Sequence, residues 1–343
     1  MTSPLSCLIG GLLLGAALLL GCDASPSDAP PPPERSFRGE ITRLGPATDV
    51  RPALRGPSLL LQGDGPPLDT AVQAHLRHLS SRPVDVVVLA ASFPAGGSET
   101  PECDRLIGQA RVHSCTTITL PDSRTADADT VAATVRRAES VYFAGGNQCE
   151  YVGWDGQAVH AAVIDVYERG GGVGGGSAGL AIQGGAVYNG CTGSVRSEEA
   201  LANPYDARIR VADGMFAWPS LRRVVPDSHF AERDRMGRLI AFVARQVDER
   251  GADAFYGLGI NEATAVVVGP RQTATVYGDA AYLVHADHPP ETLAPNTPLT
   301  FTDLQVVRLA DGDTYRLDER PLDAAYRVDV EAGTFAADPY RAE

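Results

Sequence analysis

The chain has 343 residues, 44% of them apolar, and 43 acidic against 29 basic side chains give it a formal net charge of −14. Every basic residue is Arg, which excludes a Walker A lysine, a pyridoxal Schiff base and a Ser-Lys dyad. An acidic chain also lacks the basic face that non-specific nucleic-acid binding requires, so no nucleic-acid partner is expected.

Residues 8–20 (LIGGLLLGAALLL) form an apolar run too short to span a bilayer but suited to the core of a signal peptide. The run ends in Leu19-Leu20-Gly21-Cys22, which resembles the lipobox of bacterial lipoproteins. That resemblance implies removal of residues 1–21, lipidation of Cys22 and a membrane anchor on the periplasmic or extracellular face. A plain secretory signal is the alternative, because MTSPLSC carries no Arg. Both readings export the protein. Residues 22–57 are Pro-rich and polar and read as an extended tether. The folded domain is expected over 58–320, with a C-terminal extension over 321–343.

From Ser58 the pattern alternates as in an α/β protein. Strands are expected at 58–62, 84–90, 116–120 and 140–144, with helices at 69–79, 127–138 and 157–169. The run VDVVVLA is apolar almost throughout, as in a parallel strand buried on both faces. A glycine-rich segment at 170–176 leads into Ser177, a strand follows at 222–225 and a helix at 232–247. Short β segments then occupy 263–268, 273–277, 281–284, 303–309 and 314–317. The expected architecture is a doubly wound, mostly parallel sheet with a β-rich C-terminal edge.

Export makes disulfides the expected state of Cys103, Cys115, Cys149 and Cys191. Four cysteines allow three pairings. Cys103–Cys115, a local loop, and Cys149–Cys191 are favoured, the second because its neighbours carry motifs described next. With no C-x-x-C pair and no His at ligand spacing, neither a metal nor a cofactor is expected.

Gly175-Gly176-Ser177-Ala178-Gly179 matches G-x-S-x-G where a strand should turn sharply into a helix. Such a turn lifts the hydroxyl to the carboxyl end of the sheet and aims the Ala178 N–H at a developing oxyanion. The serine needs a base. His229 ends a strand and begins a helix within Asp227-Ser228-His229-Phe230, followed by Arg233, Arg235 and Arg238, a cationic cluster that invites an anionic partner.

Together with Gly145-Gly146-Asn147-Gln148, these segments resemble the cyanophycinase family, serine exopeptidases related to peptidase E on a flavodoxin-like or class I glutamine amidotransferase-like fold. The resemblance runs from about Ser58 to about Leu317 and includes Gly257-Leu258-Gly259-Ile260-Asn261-Glu262-Ala263-Thr264-Ala265. It implies Ser177 as nucleophile, His229 as base, and an oxyanion hole at the N–H groups of Gly146 and Ala178. It places Gln148, Asp227, Ser228, Arg233, Arg235 and Arg238 around the substrate. The family's substrate is poly-aspartate carrying arginine on each β-carboxyl, released as β-Asp-Arg dipeptides. The third catalytic member is expected in the loop after the serine, at Glu198 with Glu199 as the alternative. The chain departs from the family at Ser228, where Gln is usual, and at Gly176, where Thr is usual. Two other readings stay open: an esterase using His285 or His288 as base, and a catalytically inactive lipid-anchored binding module on the same fold. Homodimerisation is also left open.

Overall fold

The computed structural model of the protein describes residues 39–93, 98–251, 255–317 and 322–341. The expected signal segment and Cys22 lie outside the described residues. In chain order the first half holds β1 (Glu40–Leu44), β2 (Ser58–Gln62), α1 (Asp69–Leu79), β3 (Val84–Ala90), α2 (Pro101–Leu106), β4 (Val112–Thr119), α3 (Asp129–Arg137), β5 (Ser140–Phe143), α4 (Gln148–Val152), α5 (Ala158–Glu168), β6 (Gly172–Gly176) and α6 (Ala178–Ala181). There follow β7 (Ala186–Tyr188), α7 (Ser197–Ala202), β8 (Val211–Asp213), β9 (Val224–Asp227), α8 (Met236–Arg250), β10 (Tyr256–Ile260), β11 (Ala265–Val268), β12 (Thr273–Tyr277), β13 (Ala280–His285), β14 (Phe301–Ala310), β15 (Thr314–Arg316), β16 (Tyr326–Glu331) and β17 (Thr334–Phe335).

The main sheet has the order β1-β4-β3-β5-β6-β2-β11-β12-β15. Its centre, β4-β3-β5-β6-β2, is parallel, and antiparallel strands close both edges. All seven residues of β3 are buried because helices cover both faces. The apolar sides of α3 and α5 pack on one face, and those of α1 and α2 on the other. In α1 that side is Ala71, Val72, Ala74, Leu76 and Leu79, at the spacing of a single helical stripe. The doubly wound architecture expected from the alternating pattern is therefore present.

Two expectations need correction. Residues 40–44, assigned to the tether, form β1 and pair along their length with β4. The β-rich C-terminal part is also more than an edge of the main sheet. It builds a second sheet, β17-β16-β14-β13-β10-β9, under which α8 buries its apolar side. Among the described residues no helix is long and apolar enough to cross a membrane.

Candidate active site

Ser177 stands between β6 and α6 with φ 52° and ψ −110°, a conformation that costs a non-glycine residue energy and persists only where its surroundings impose it. The flanking glycines show how they do so. A Cβ on Gly175 would fall 2.4 Å from the Gly179 carbonyl carbon, and one on Gly179 would fall 2.2 Å from Phe143 O. Strand and helix can meet this closely only without side chains. Gly176, the departure before the serine, is explained by Tyr142, whose hydroxyl would lie 2.7 Å from a Cβ there. Ala178 is the first residue of α6, so its N–H has no carbonyl partner within the helix. The Gly145-Gly146 turn after β5 lies alongside, with a Cβ on Gly145 at 3.7 Å from Ser177 Cβ.

His229 meets this serine from the other sheet. It follows β9, so the pair bridges the two sheets. The Ser177 hydroxyl lies 2.8 Å from His229 Nε2, and His229 Nδ1 lies 2.6 Å from Glu262 Oε1. Nε2 accepting from the serine leaves Nδ1–H to donate to the carboxylate. This bond from His229 holds the half-exposed Glu262 carboxyl below the usual carboxylate range. Glu262 sits where the chain crosses from β10 in the second sheet to β11 in the main one. All three side chains therefore converge on the seam.

The carboxylate bonded to His229 is Glu262, whereas Glu198, with Glu199 as the alternative, was expected there. Glu198 is exposed and lines a neighbouring cavity with Arg233 and Arg235. Glu199 accepts from the Arg196 N–H (2.8 Å) and from Arg208 (3.1 Å), caps the start of α7, and is held below its ordinary pKa by those partners. A second carboxylate that sequence reasoning missed is Asp64, on the turn after β2, with Oδ1 3.5 Å from His229 Nε2. Ligand atoms of Asp64, His229 and Glu262 all lie within 4.8 Å of one another, the spacing of a possible metal site. Both ring nitrogens of His229 already serve Ser177 and Glu262, so an ion taking either would break the triad.

The arginines divide by burial. Arg238 and Asp227, each 3% exposed, face one another, with Nε to Oδ2 at 2.7 Å and Nη2 to Oδ1 at 2.5 Å. Arg238 Nη1 reaches Ser194 Oγ (3.2 Å) and Val195 O (3.4 Å). Burial alone would raise the Asp227 pKa, but Arg238 and Arg235 outweigh it and hold the carboxyl down. These two residues, expected around the substrate, form a buried ion pair, and Arg238 also borders the cavity described below. Ser228 is buried as well, and its carbonyl and hydroxyl accept from Arg235 Nη1 at 2.7 and 3.2 Å. Burial lowers Arg235 to about 10. Arg233 remains more than half exposed, 3.9 Å from Glu262. It borders a cavity of about 400 Å³ with Arg196, Glu198, Asp234 and Arg235.

Cys149 pairs with Cys191 and Cys103 with Cys115, the pairing favoured from the sequence. The first bond ties the start of α4 to the loop after β7, and Gln148 adds to it by donating from Nε2 to Tyr188 O (2.8 Å). Gln148 thus holds loop to loop. Elsewhere, His75 is enclosed by Ser58 Oγ (3.0 Å) and Ser140 Oγ (3.1 Å), and burial lowers it to about 3, so it is a neutral core residue. His285 lies buried in β13 and His288 is 2.9 Å from Pro289 O; the base position beside Ser177 belongs to His229.

Fold and site together define an α/β protein carrying a serine–histidine–glutamate triad on a strained strand-to-helix turn. By sequence the chain is similar to the cyanophycinases, and it spans a little under two thirds of their length. It is 30% identical over 208 residues to the cyanophycinases of Trichormus variabilis and of Nostoc sp., a match covering 58% of this chain and 64% of each relative. To the cyanophycinase of Synechococcus elongatus it is 26% identical over 208 residues, covering 57% of this chain and 58% of that one. No family model matches the chain. Among solved structures, a peptidase from an acI-B1 Actinobacterium shares the fold, with a TM-score of 0.51 at 16% identity over 77% of this chain and 98% of that one.

Proposed function

We propose that the protein is an exported serine exopeptidase of cyanophycinase type. It would hydrolyse cyanophycin or related aspartyl peptides to β-Asp-Arg-like dipeptides. The observation that carries this reading is the continuous chain from Ser177 Oγ through His229 to Glu262, at 2.8 and 2.6 Å. In this mechanism Ser177 Oγ attacks the scissile carbonyl while its proton passes to His229 Nε2. Glu262 stabilises the imidazolium, and the N–H groups of Gly146 and Ala178 take the oxyanion. The imidazolium then protonates the leaving amine, and an acyl-Ser177 intermediate remains. Water, losing a proton to His229 Nε2, attacks the acyl carbonyl, and the imidazolium passes that proton to the departing Ser177 Oγ.

The cavity beside the triad supports a zwitterionic substrate. Arg196, Arg233 and Arg235 suit free carboxylates, and Glu198 and Asp234 suit a guanidinium. Export and lipidation of Cys22 belong to the same reading, and the two disulfides suit an oxidising compartment. Replacing Cys22 with Ala should release the protein from the membrane fraction.

The experiment is incubation of the protein with cyanophycin, with products read by mass spectrometry and Ser177→Ala as control. Release of β-Asp-Arg that vanishes in Ser177→Ala is the expected result. Equal release from both proteins would remove Ser177 from the mechanism. No release from the folded, oxidised protein would displace cyanophycin as the substrate.

A further inference from the structure

Residues 322–341 reach the site from the far end of the chain. β16 and β17 extend the second sheet, and the segment after them brings Tyr340 against the turn that carries His229. The Met236 N–H donates to the Tyr340 hydroxyl (2.9 Å), which itself donates to Asp234 Oδ1 (3.1 Å); Phe230 O lies 3.5 Å from the same hydroxyl. The ring stands edge-on against Phe230, with centroids 5.9 Å apart, and against Tyr282 at 5.6 Å. One side chain thus touches Phe230, Asp234 and Met236, which together span the path from His229 to the first turn of α8. Burial raises the pKa of the hydroxyl, which keeps it a donor across the working pH range.

The turn is one that needs holding. His229 and Asp234 both have positive φ, 45° and 46°, a region costly for any residue with a Cβ and retained only where neighbours impose it. Within the turn the N–H groups of Arg233, Asp234 and Arg235 donate to His229 O (3.1 Å), Ala231 O (3.1 Å) and Phe230 O (2.9 Å). Other elements add further ties. Ile260 O accepts the Phe230 N–H (3.2 Å), Asn261 Oδ1 accepts the Ala231 N–H (3.1 Å), and the Ser197 hydroxyl bonds to Asp234 O. These ties fix the backbone around Phe230 and Ala231 and the carbonyl of Asp234. Tyr340 adds the only hydrogen bond described to the Asp234 side chain and satisfies the first N–H of α8.

We infer that Tyr340 is a positioning residue: its hydroxyl locks residues 230–236 so that His229 presents Nε2 to Ser177 and Nδ1 to Glu262. The C-terminal extension is in this way part of the active site. The inference rests on the reading of Ser177 and His229 as nucleophile and base, and the hydroxyl itself touches none of the reacting groups.

The test is a one-dimensional proton spectrum of the full-length protein. It follows the far-downfield resonance of His229 Nδ1–H in its short bond to Glu262, assigned by its absence in Glu262→Ala. Tyr340→Phe keeps both ring contacts and removes only the hydroxyl. The resonance should broaden or shift in that variant, and fluorophosphonate labelling of Ser177 should slow by about 10-fold or more, as expected when a base is displaced by a fraction of an ångström. Val330→Ala, which opens a cavity beneath β16 and leaves the Tyr340 hydroxyl in place, should lower Tm and change neither readout. An unchanged His229 resonance in Tyr340→Phe, or the same change in Val330→Ala, overturns the inference. A wild-type protein that does not label at all would instead remove Ser177 as a nucleophile, and the resonance would still decide whether Tyr340 positions His229.

Discussion

Replacing Arg238 with Met separates a buried structural arginine from a substrate-facing one. In the folded protein Asp227 is 3% exposed and bonded in two places to Arg238. Without that partner, its oxygens keep the Ser228 N–H at 2.9 Å and Arg235 Nη1 at 3.3 Å. Removing one member of a buried ion pair costs about 3–5 kcal/mol, since the remaining charge is uncompensated. Arg235 stays close enough to relieve part of this, so about 3 kcal/mol is expected, or a fall in Tm of roughly 6–10 °C. Arg233→Met, at a half-exposed site, should stay within about 0.5 kcal/mol of the parent and act on KM instead. The assay is urea and thermal unfolding of both variants alongside substrate kinetics. The pH dependence has a definite sign. Asp227 is held below its unfolded pKa, so the stabilisation is complete above the ordinary carboxylate range and is lost as pH falls through the lowered folded value. The gap between parent and Arg238→Met should narrow on acidification. Adding Asp227→Asn to Arg238→Met should recover much of the loss. An Arg238→Met protein with unchanged Tm and raised KM would refute the reasoning and return Arg238 to the substrate.

Glu262→Gln should lower kcat by about 10²–10⁴-fold with little change in KM, whereas Glu198→Gln should leave kcat near the parent value; steady-state kinetics on both variants checks the reassignment. Replacing Cys149 and Cys191 with Ser opens a cross-link between residues 42 apart and should cost about 2–4 kcal/mol in urea unfolding, with a raised KM from the loosened loops. Burial raises Glu139 to about 7, so its folded form favours the neutral acid, and the stability this gives is lost as pH rises from the unfolded value through about 7. Glu139→Gln should therefore gain stability over the parent between pH 4.5 and 8, by roughly 2 kcal/mol at the upper end, as read by unfolding at several pH values.

Local signals carried the proposed nucleophile and base. Ser177 announces itself because the glycines its turn requires are adjacent in the chain, and His229 because the charged run after it is unusual. Glu262 lies 33 residues beyond His229 and gains its meaning only from the crossing between sheets. Its segment was on view in Gly257 to Ala265, but the strand preceding it was not recognised. Gly257 and Gly259 dilute the apolar pattern of β10 because the side chains of Leu239 and Phe230 occupy the places of their Cβ atoms, at 2.7 and 2.4 Å. Without β10 the parallel partner of β9 is missing, and the second sheet reads as an edge of the first. β1 escaped for another reason: EITRL lies half-buried on a sheet edge, and so short an amphipathic segment has no distinctive pattern. Burial separated the arginines. Arg233, Arg235 and Arg238 look alike in sequence; in the fold Arg238 takes both oxygens of the buried Asp227, Arg235 touches one of them, and Arg233 stays more than half exposed.

The central claim, that Ser177, His229 and Glu262 act as one hydrolytic unit, is tested most directly by mapping a fluorophosphonate adduct on the full-length protein by peptide mass spectrometry. The account predicts one adduct, on Ser177, formed at least about 100-fold more slowly in His229→Ala and also slowed in Glu262→Gln. An adduct elsewhere, or labelling of Ser177 that is indifferent to His229, would contradict it.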